Sequence, residues 1–205
     1  MFLGHFAVGF GAKKAAPKTS LGTLILAAIF LDALWPLFLL TGLERVRIDP
    51  GNTPVTPLDF TFYPYSHSLL LAATWSAAFA VVYFLARRYR AGAIVAGLCV
   101  FSHWVLDFVS HRPDLPLAPG GSARAGLGLW FSRPATIAVE GALFAAGIAI
   151  YLQATVPRDR IGRWALAGLV AVLLVSYFAN LFGPPPPDVT LIADAGLAAG
   201  ILLVA

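Results

Sequence analysis

The chain reads as an all-α bundle of five to six membrane-spanning helices with a short apolar helix at the N-terminal end, a single integral membrane domain over residues 1–205. Three observations predict this fold. Apolar residues fill 59% of the 205 positions and charged residues only 12%, and the mean hydropathy of +0.81 is well beyond that of a water-soluble domain of this length. Six apolar runs approach the ~20 residues that cross a bilayer. Basic residues are confined to alternate connections between those runs, the pattern of a polytopic membrane protein.

The first stretch, MFLGHFAVGFGAKK, has neither a basic start nor a small-residue cleavage site, so it is not expected to be removed as a signal peptide. It is expected instead to form a short, re-entrant apolar helix that dips into the bundle. The six runs are Leu21 to Leu43, Tyr65 to Ala86, Ala91 to Ser110, Pro134 to Leu152, Ile161 to Phe182 and Asp188 to Ala205. Pro134 suits the first turn of its helix, behind a Ser132 cap. Pro184 to Pro187 make a stiff turn between the last two runs. Lys13, Lys14 and Lys18, then Arg87, Arg88 and Arg90, then Arg158, Arg160 and Arg163 mark the cytoplasmic side, which makes the N-terminus cytoplasmic and places the loops 44–64, 111–132 and 183–187 outside a bacterial plasma membrane. The first outer loop carries Pro50, Pro54, Pro57 and Pro64, which resist helix and strand. Its Phe60, Phe62, Tyr63 and Tyr65 suit either an aromatic belt at the membrane interface or a flap over a site beneath.

The 14 Lys and Arg against 10 acids are a topology signal in short connections; they form no basic groove, so nucleic acid is not an expected partner. The single cysteine, Cys99, excludes an internal disulfide and a cysteine-rich metal site, so any metal must be held by nitrogen and oxygen.

The chemistry concentrates in SHWVLDFVSH, Ser102 to His111. Here His103, Asp107 and His111 recur at steps of four on a segment otherwise suited to lipid. All four histidines, His5, His67, His103 and His111, lie in or at the edge of apolar runs. Asp32, Asp107, Glu140 and Asp194 fall inside runs as well, where a lone charge costs at least ~2.5–3.5 kcal/mol. No lysine or arginine lies deep in any run, so histidines and a cation remain as partners for the carboxylates. At the helical rise, His103 lies roughly 18 Å and Asp107 roughly 24 Å from the cytoplasmic start of their span, with Glu140 about 9 Å below the outer surface. His67 opens its span from outside and Asp32 lies near the middle of the first, so four helices offer ligands to one zone. His5 joins them if its segment dips into the bundle. His103 and Asp107, one turn apart, suit one cation between them. His111 is ~12 Å along the axis from His103 and reaches the same ion only if the helix breaks near Ser110, a break that Pro113 favours; otherwise it serves a second ion, an acid or a substrate contact. Pro36 lacks the N–H that would bond the Asp32 carbonyl, leaving that oxygen free for a cation or water. Arg112 and Arg133 on the outer rim either attract a phosphate or snorkel.

GHFAVGF at the start, an aspartate in the first span, SHSLL and HWVLD together resemble the bacterial inner-membrane family of membrane-bound metal-dependent hydrolases, which includes LexA-regulated members. The resemblance covers Met1 to His111. It implies that His5, Asp32, His67, His103 and Asp107 occupy metal-binding positions. The chain departs from the family where LDALWP has Leu34 in place of a second aspartate, and where the family's His-Arg-Gly step before its Thr-His-Ser gives way to FTFYPYSHS.

These readings lead to an expected function: a metal-dependent hydrolase with its site in the outer half of the bilayer and a phospholipid or similar amphiphilic ester as substrate, membrane lipid being both substrate and environment. Zinc is the expected metal, with Glu140 or His111 as proton shuttle. Divalent-cation or proton transport is the alternative from another class, and a noncatalytic membrane subunit with a structural metal is the third. Transport needs polar groups in both halves of the membrane, whereas AAFAVVYFL and LFAAGIAIYL are uncharged.

Overall fold

The computed structural model describes residues 1–204; the end of the sixth apolar run, at Ala205, lies outside them. Helix α1 (Leu3–Ala15) ends on Lys13 and Lys14, cations that suit the carbonyl end of a helix. Helix α2 (Leu21–Ala28) starts behind Ser20, whose hydroxyl accepts the Thr23 N–H at 3.1 Å, and α3 (Phe30–Leu40) follows after a bend of 58°. Strands β1 (Arg45–Ile48) and β2 (Leu58–Phe62) pair as an antiparallel hairpin. The four-residue helix α4 (Pro64–His67) leads into α5 (Leu69–Arg87), and α6 (Arg90–Ser110) returns. A second small sheet of β3 (Leu115–Pro116) and β4 (Arg124–Ala125) and a 3-10 turn at Leu129–Phe131 precede α7 (Arg133–Ala154), α8 (Arg160–Phe182) and α9 (Val189–Val204).

The structure is mostly helical, and four helices, α5 to α8, are long and apolar enough to cross a membrane; the bent pair α2 and α3 counts as a fifth if it is one span. Helix α9, with 16 residues, is short of the ~20 that span a bilayer. Two expectations need correction. The first run is not one straight helix, because it breaks at Ile29. The outer loops are not free of strand: Pro50, Pro54 and Pro57 fall in the connection between β1 and β2, and Pro64 takes the first position of α4, where its missing N–H would have had no partner. The strands themselves carry Val46, Ile48, Phe60 and Phe62, side chains that fit a pleated, half-buried surface.

Helix α1 lies at the centre, with Leu3, Phe6 and Phe10 buried against Ile25, Phe144 and Tyr177 from its neighbours. Leu70, Val82, Leu98 and Val175 on α5, α6 and α8 are exposed, as a lipid-facing surface would be. At one end of the bundle Lys18 sits over the Tyr89 ring and Thr19 shares a 2.8 Å hydrogen bond with Tyr83, so the first two basic clusters lie together. The hairpin, His67 and the end of α6 occupy the other. Met1 is buried at the end of α1 opposite Lys13 and Lys14.

Close approach of α1 and α7 depends on Gly147, where an added Cβ would lie 2.5 Å from the Ala7 carbonyl oxygen. Backbone cannot yield as a flexible side chain can, so Gly147→Ala is expected to push α1 off α7 and to destabilise by ~1–3 kcal/mol. Gly141 on the same helix has nothing within 4 Å of such a Cβ, and Gly141→Ala is expected to leave stability unchanged or raise it by up to ~1 kcal/mol, as relief of a mid-helix glycine does. Thermal unfolding of both variants in detergent checks the pair.

Candidate metal centre

Three breaks in regular helix bring the polar side chains together. Helix α6 supplies His103 and Asp107 one turn apart and ends at Ser110. Between α4 and α5 the extended Ser68 turns the chain and accepts the Leu71 N–H, leaving His67 at the end of α4. The bend at Ile29 places Asp32 in the first turn of α3. In an unbroken helix the Ala28 carbonyl would accept the Asp32 N–H. Here it accepts instead from His103 Nδ1 at 2.9 Å. A carbonyl only accepts, so Nδ1 carries the proton and orients the ring with Nε2 toward the carboxylates.

Four contacts link this nitrogen and that of His67 to the two carboxylates. His103 Nε2 is 3.2 Å from Asp107 Oδ2 and 3.5 Å from Asp32 Oδ1, while His67 Nε2 is 3.4 Å from Asp32 Oδ1 and 3.7 Å from Asp107 Oδ2. His103 Nε2 is buried yet has no hydrogen-bond partner, so its two short contacts are not aligned as hydrogen bonds. Ligands held ~2.0–2.1 Å from one tetrahedral ion stand about 3.3–3.4 Å apart in all six pairs, and the four histidine–carboxylate pairs here lie at 3.2–3.7 Å. Two overlapping groups, His5 with His103 and Asp107, and Asp32 with His67 and His103, each keep their ligand atoms within 4.8 Å of one another. These side chains can hold a metal ion, and the nitrogen and oxygen set suits a borderline or hard cation. His103, Asp107 and His67 are 0%, 3% and 5% exposed at the side chain, but Asp32 is 49% exposed. The open edge of the centre is therefore at Asp32.

The structure brings His5 to the far side of Asp107. Its ring stacks on His103 at 3.7 Å with 2° between planes, and Nε2 lies 3.1 Å from Asp107 Oδ1. The Met1 amine donates to the same oxygen and to Ser110 Oγ. No lysine or arginine side chain pairs with Asp32 or Asp107 among the described residues.

His111 ends α6 with extended backbone, and its Nε2 comes within 4.0 Å of Asp107 Oδ2. On the other side Nδ1 is 3.1 Å from Asp114 Oδ1 and 3.4 Å from the Tyr63 hydroxyl, which also donates to Asp114 at 3.1 Å. Trp130 at 4.2 Å and Phe60 at 5.1 Å enclose the ring. Gly126, at φ +151°, lets the following loop cross this spot, because a Cβ there would fall 2.2 Å from the Arg112 carbonyl oxygen. Arg112 donates to Asp114 Oδ2 at 2.8 Å and also binds Asn52 and Asp59, while Arg133 donates to the Pro54 carbonyl. Both rim arginines are thus engaged within the chain. Glu140 Oε2 accepts the N–H groups of Phe2 at 2.9 Å and Gly4 at 3.3 Å, anchoring the start of α1. Neither close group includes Glu140 or Asp194, and Asp194 is exposed.

Sequence reasoning missed two acids here. Glu44 is 1% exposed. It accepts the N–H groups of Tyr65 and Ser66 at 2.7 and 2.8 Å and the Ser66 hydroxyl at 2.6 Å, and that hydroxyl lies 2.6 Å from His67 Nδ1. Asp114 had a readable signal, since it follows His111 by three residues just past the expected break. Glu44 had none, because folding of the hairpin alone carries it to α4. Burial would raise the Asp114 carboxyl, but hydrogen bonds from His111, Arg112 and Tyr63 outweigh it and hold the group below its ordinary range. Burial and the nearby Asp114 charge push the Tyr63 hydroxyl well above its usual value.

No family model matches the chain, and no curated protein or solved structure matches it.

Because Asp114 is held below its unfolded value of about 3.9, it adds stability that is present above that pH and is lost as pH falls through the lower folded value. Asp114→Asn is expected to unfold at lower temperature than the parent at neutral pH, with the gap closing in acid below about pH 4. Thermal unfolding in detergent across this pH range checks it; a gap that persists unchanged in acid would show that the ionised carboxyl is not what the neighbours hold.

Proposed function

We propose that the protein is a membrane-embedded, metal-dependent hydrolase acting on a phospholipid or similar amphiphilic ester. The observation that carries this reading is the buried His103 Nε2, which lies 3.2 and 3.5 Å from carboxylate oxygens of two helices without a hydrogen bond to either. A cation between them satisfies all three groups at once. When bound, a divalent cation, zinc first for this ligand type, would polarise a phosphoryl or carbonyl oxygen and acidify a water.

The chain's own residues then divide the work. His67, His103 and Asp107 would hold the ion from buried positions, and Asp32 would complete the set at the edge an ester can reach, giving way there to the water or ester oxygen that an open position requires. Exposed Leu37 and Leu40 share α3 with Asp32, which favours a substrate with apolar chains. His5 orients Asp107 through its other oxygen, and Glu140 supports His5 by fixing the start of α1. His111 has Nδ1 engaged by Asp114 and Nε2 turned to the centre, so it serves as the base that takes a proton from the attacking water and returns one to the departing oxygen. A purely structural ion would need neither this histidine–carboxylate pair nor an open edge. Transport is disfavoured by the one-sided placement, because AAFAVVYFL of α5 and LFAAGIAIYL of α7 offer no polar step toward the basic end.

Elemental analysis after zinc loading of the purified protein should give one equivalent per chain, with His103→Ala and Asp107→Ala empty. The loaded protein should release headgroup or fatty acid from labelled phospholipids in detergent or proteoliposomes, and His111→Ala should keep the zinc while turnover drops by ~10²–10⁴-fold. Absence of hydrolysis across a broad lipid panel, together with Asp107-dependent divalent-ion flux, would replace this reading with transport. Zinc held with no exchangeable coordination position would replace it with a structural role.

A further inference from the structure

We infer that Glu44 and Ser66 are positioning residues that set which nitrogen of His67 carries the proton, and so present its Nε2 as a ligand. This inference rests on the metal-centre reading. Glu44 stands outside α3, in the connection to β1, pinned by its own N–H to the Phe38 carbonyl at 3.0 Å. Its Oε1 caps α4: Pro64 has no N–H, and the next two, on Tyr65 and Ser66, both donate to this oxygen. Its Oε2 accepts the Ser66 hydroxyl at 2.6 Å.

The direction of the chain follows from proton counting. A carboxylate only accepts, so the single hydroxyl proton of Ser66 goes to Glu44. The Ser66 oxygen then has only lone pairs to offer His67 Nδ1, 2.6 Å away, and the hydrogen bond forms only if Nδ1 carries the proton. Nε2 is left with its lone pair toward Asp32 and Asp107, 3.4 and 3.7 Å distant. His103 reaches the same state by a different device, the Ala28 carbonyl. Both histidines of the centre are therefore held in the tautomer a cation needs, one by backbone and one by a buried serine and glutamate. Such outer partners typically change metal affinity by ~10–100-fold.

Glu44→Gln reverses the polarity without removing the cap. The two backbone N–H groups require an acceptor, so the amide oxygen stays on their side and the NH₂ faces Ser66. Ser66 then accepts from Gln, its own proton turns to His67 Nδ1, and the proton of the imidazole moves to Nε2, the ligand atom. Ser66→Ala removes the link altogether, and Ser66→Thr keeps it. Nitrogen-15 NMR of the histidine side chains in metal-free protein at mildly alkaline pH reads the tautomer directly, and chelator competition reads zinc affinity. We expect the Nδ1–H form of His67 in the parent and in Ser66→Thr, the Nε2–H form in Glu44→Gln, and zinc affinity lowered ~10–100-fold in Glu44→Gln and Ser66→Ala. An Nε2–H form in the parent, or a tautomer and affinity unmoved by Glu44→Gln, overturns the inference and leaves the metal centre standing. A parent that binds no zinc, with the tautomer switching as described, overturns the metal centre and leaves the hydrogen-bond direction standing. Ser66→Ala and Ser66→Thr decide the matter should Glu44→Gln fail to fold.

Discussion

Two carboxylates at one end of an apolar bundle, with no lysine or arginine side chain paired to them among the described residues, are the constraint around which the rest of this structure is arranged. Each ion taken from water into a low-dielectric interior costs several kcal/mol after relaxation, and Asp107, 3% exposed at the side chain, has little water to offset it. Donors or potential donors converge on Asp107 from several elements: the Met1 amine just ahead of α1 and His5 on it, His67 from α4, His103 from one turn back, and His111 from the end of the same helix. The stacking of His5 on His103 at 3.7 Å argues that these rings do not both carry charge, since two cations so close would repel. A divalent cation resolves the imbalance with fewer charged rings than protonation would require.

The architecture serves this site through its interruptions. Straight helices would bury their own carbonyls and point side chains at regular intervals; breaks at Ile29 and Ser68 and the end of α6 at Ser110 free backbone groups and turn side chains inward. The bend that releases the Ala28 carbonyl to orient His103 also delivers Asp32 as the centre's exposed edge. Irregular backbone inside an apolar bundle is tolerated where such groups find partners. Over the centre, Arg112 in the loop after α6 pairs with Asp59 of the hairpin and with Asp114, which ties together the two segments that enclose His111.

Much of the helical framework was readable because apolar run length is a strong signal. The expected runs 91–110 and 161–182 differ by one residue from Arg90–Ser110 and Arg160–Phe182. The pairing of His103 with Asp107 followed from helical periodicity alone. The bend at Ile29 was not readable: the residue is an ordinary helix former, and Pro36, the local warning, lies seven positions on. The hairpin was hidden by prolines that turn out to sit between its strands. Glu44 and the partners of Glu140 depend on contacts across 22 and 138 positions of chain, which no local pattern encodes.

One cation is expected among His67 Nε2, His103 Nε2, Asp32 and Asp107. X-ray absorption at the zinc edge of the loaded protein tests it most directly. A nitrogen and oxygen shell at about 2.0–2.1 Å with outer-shell scattering from two imidazole rings is expected. A spectrum without imidazole scattering, or with a sulfur shell at about 2.3 Å from the buried Cys99, would contradict it.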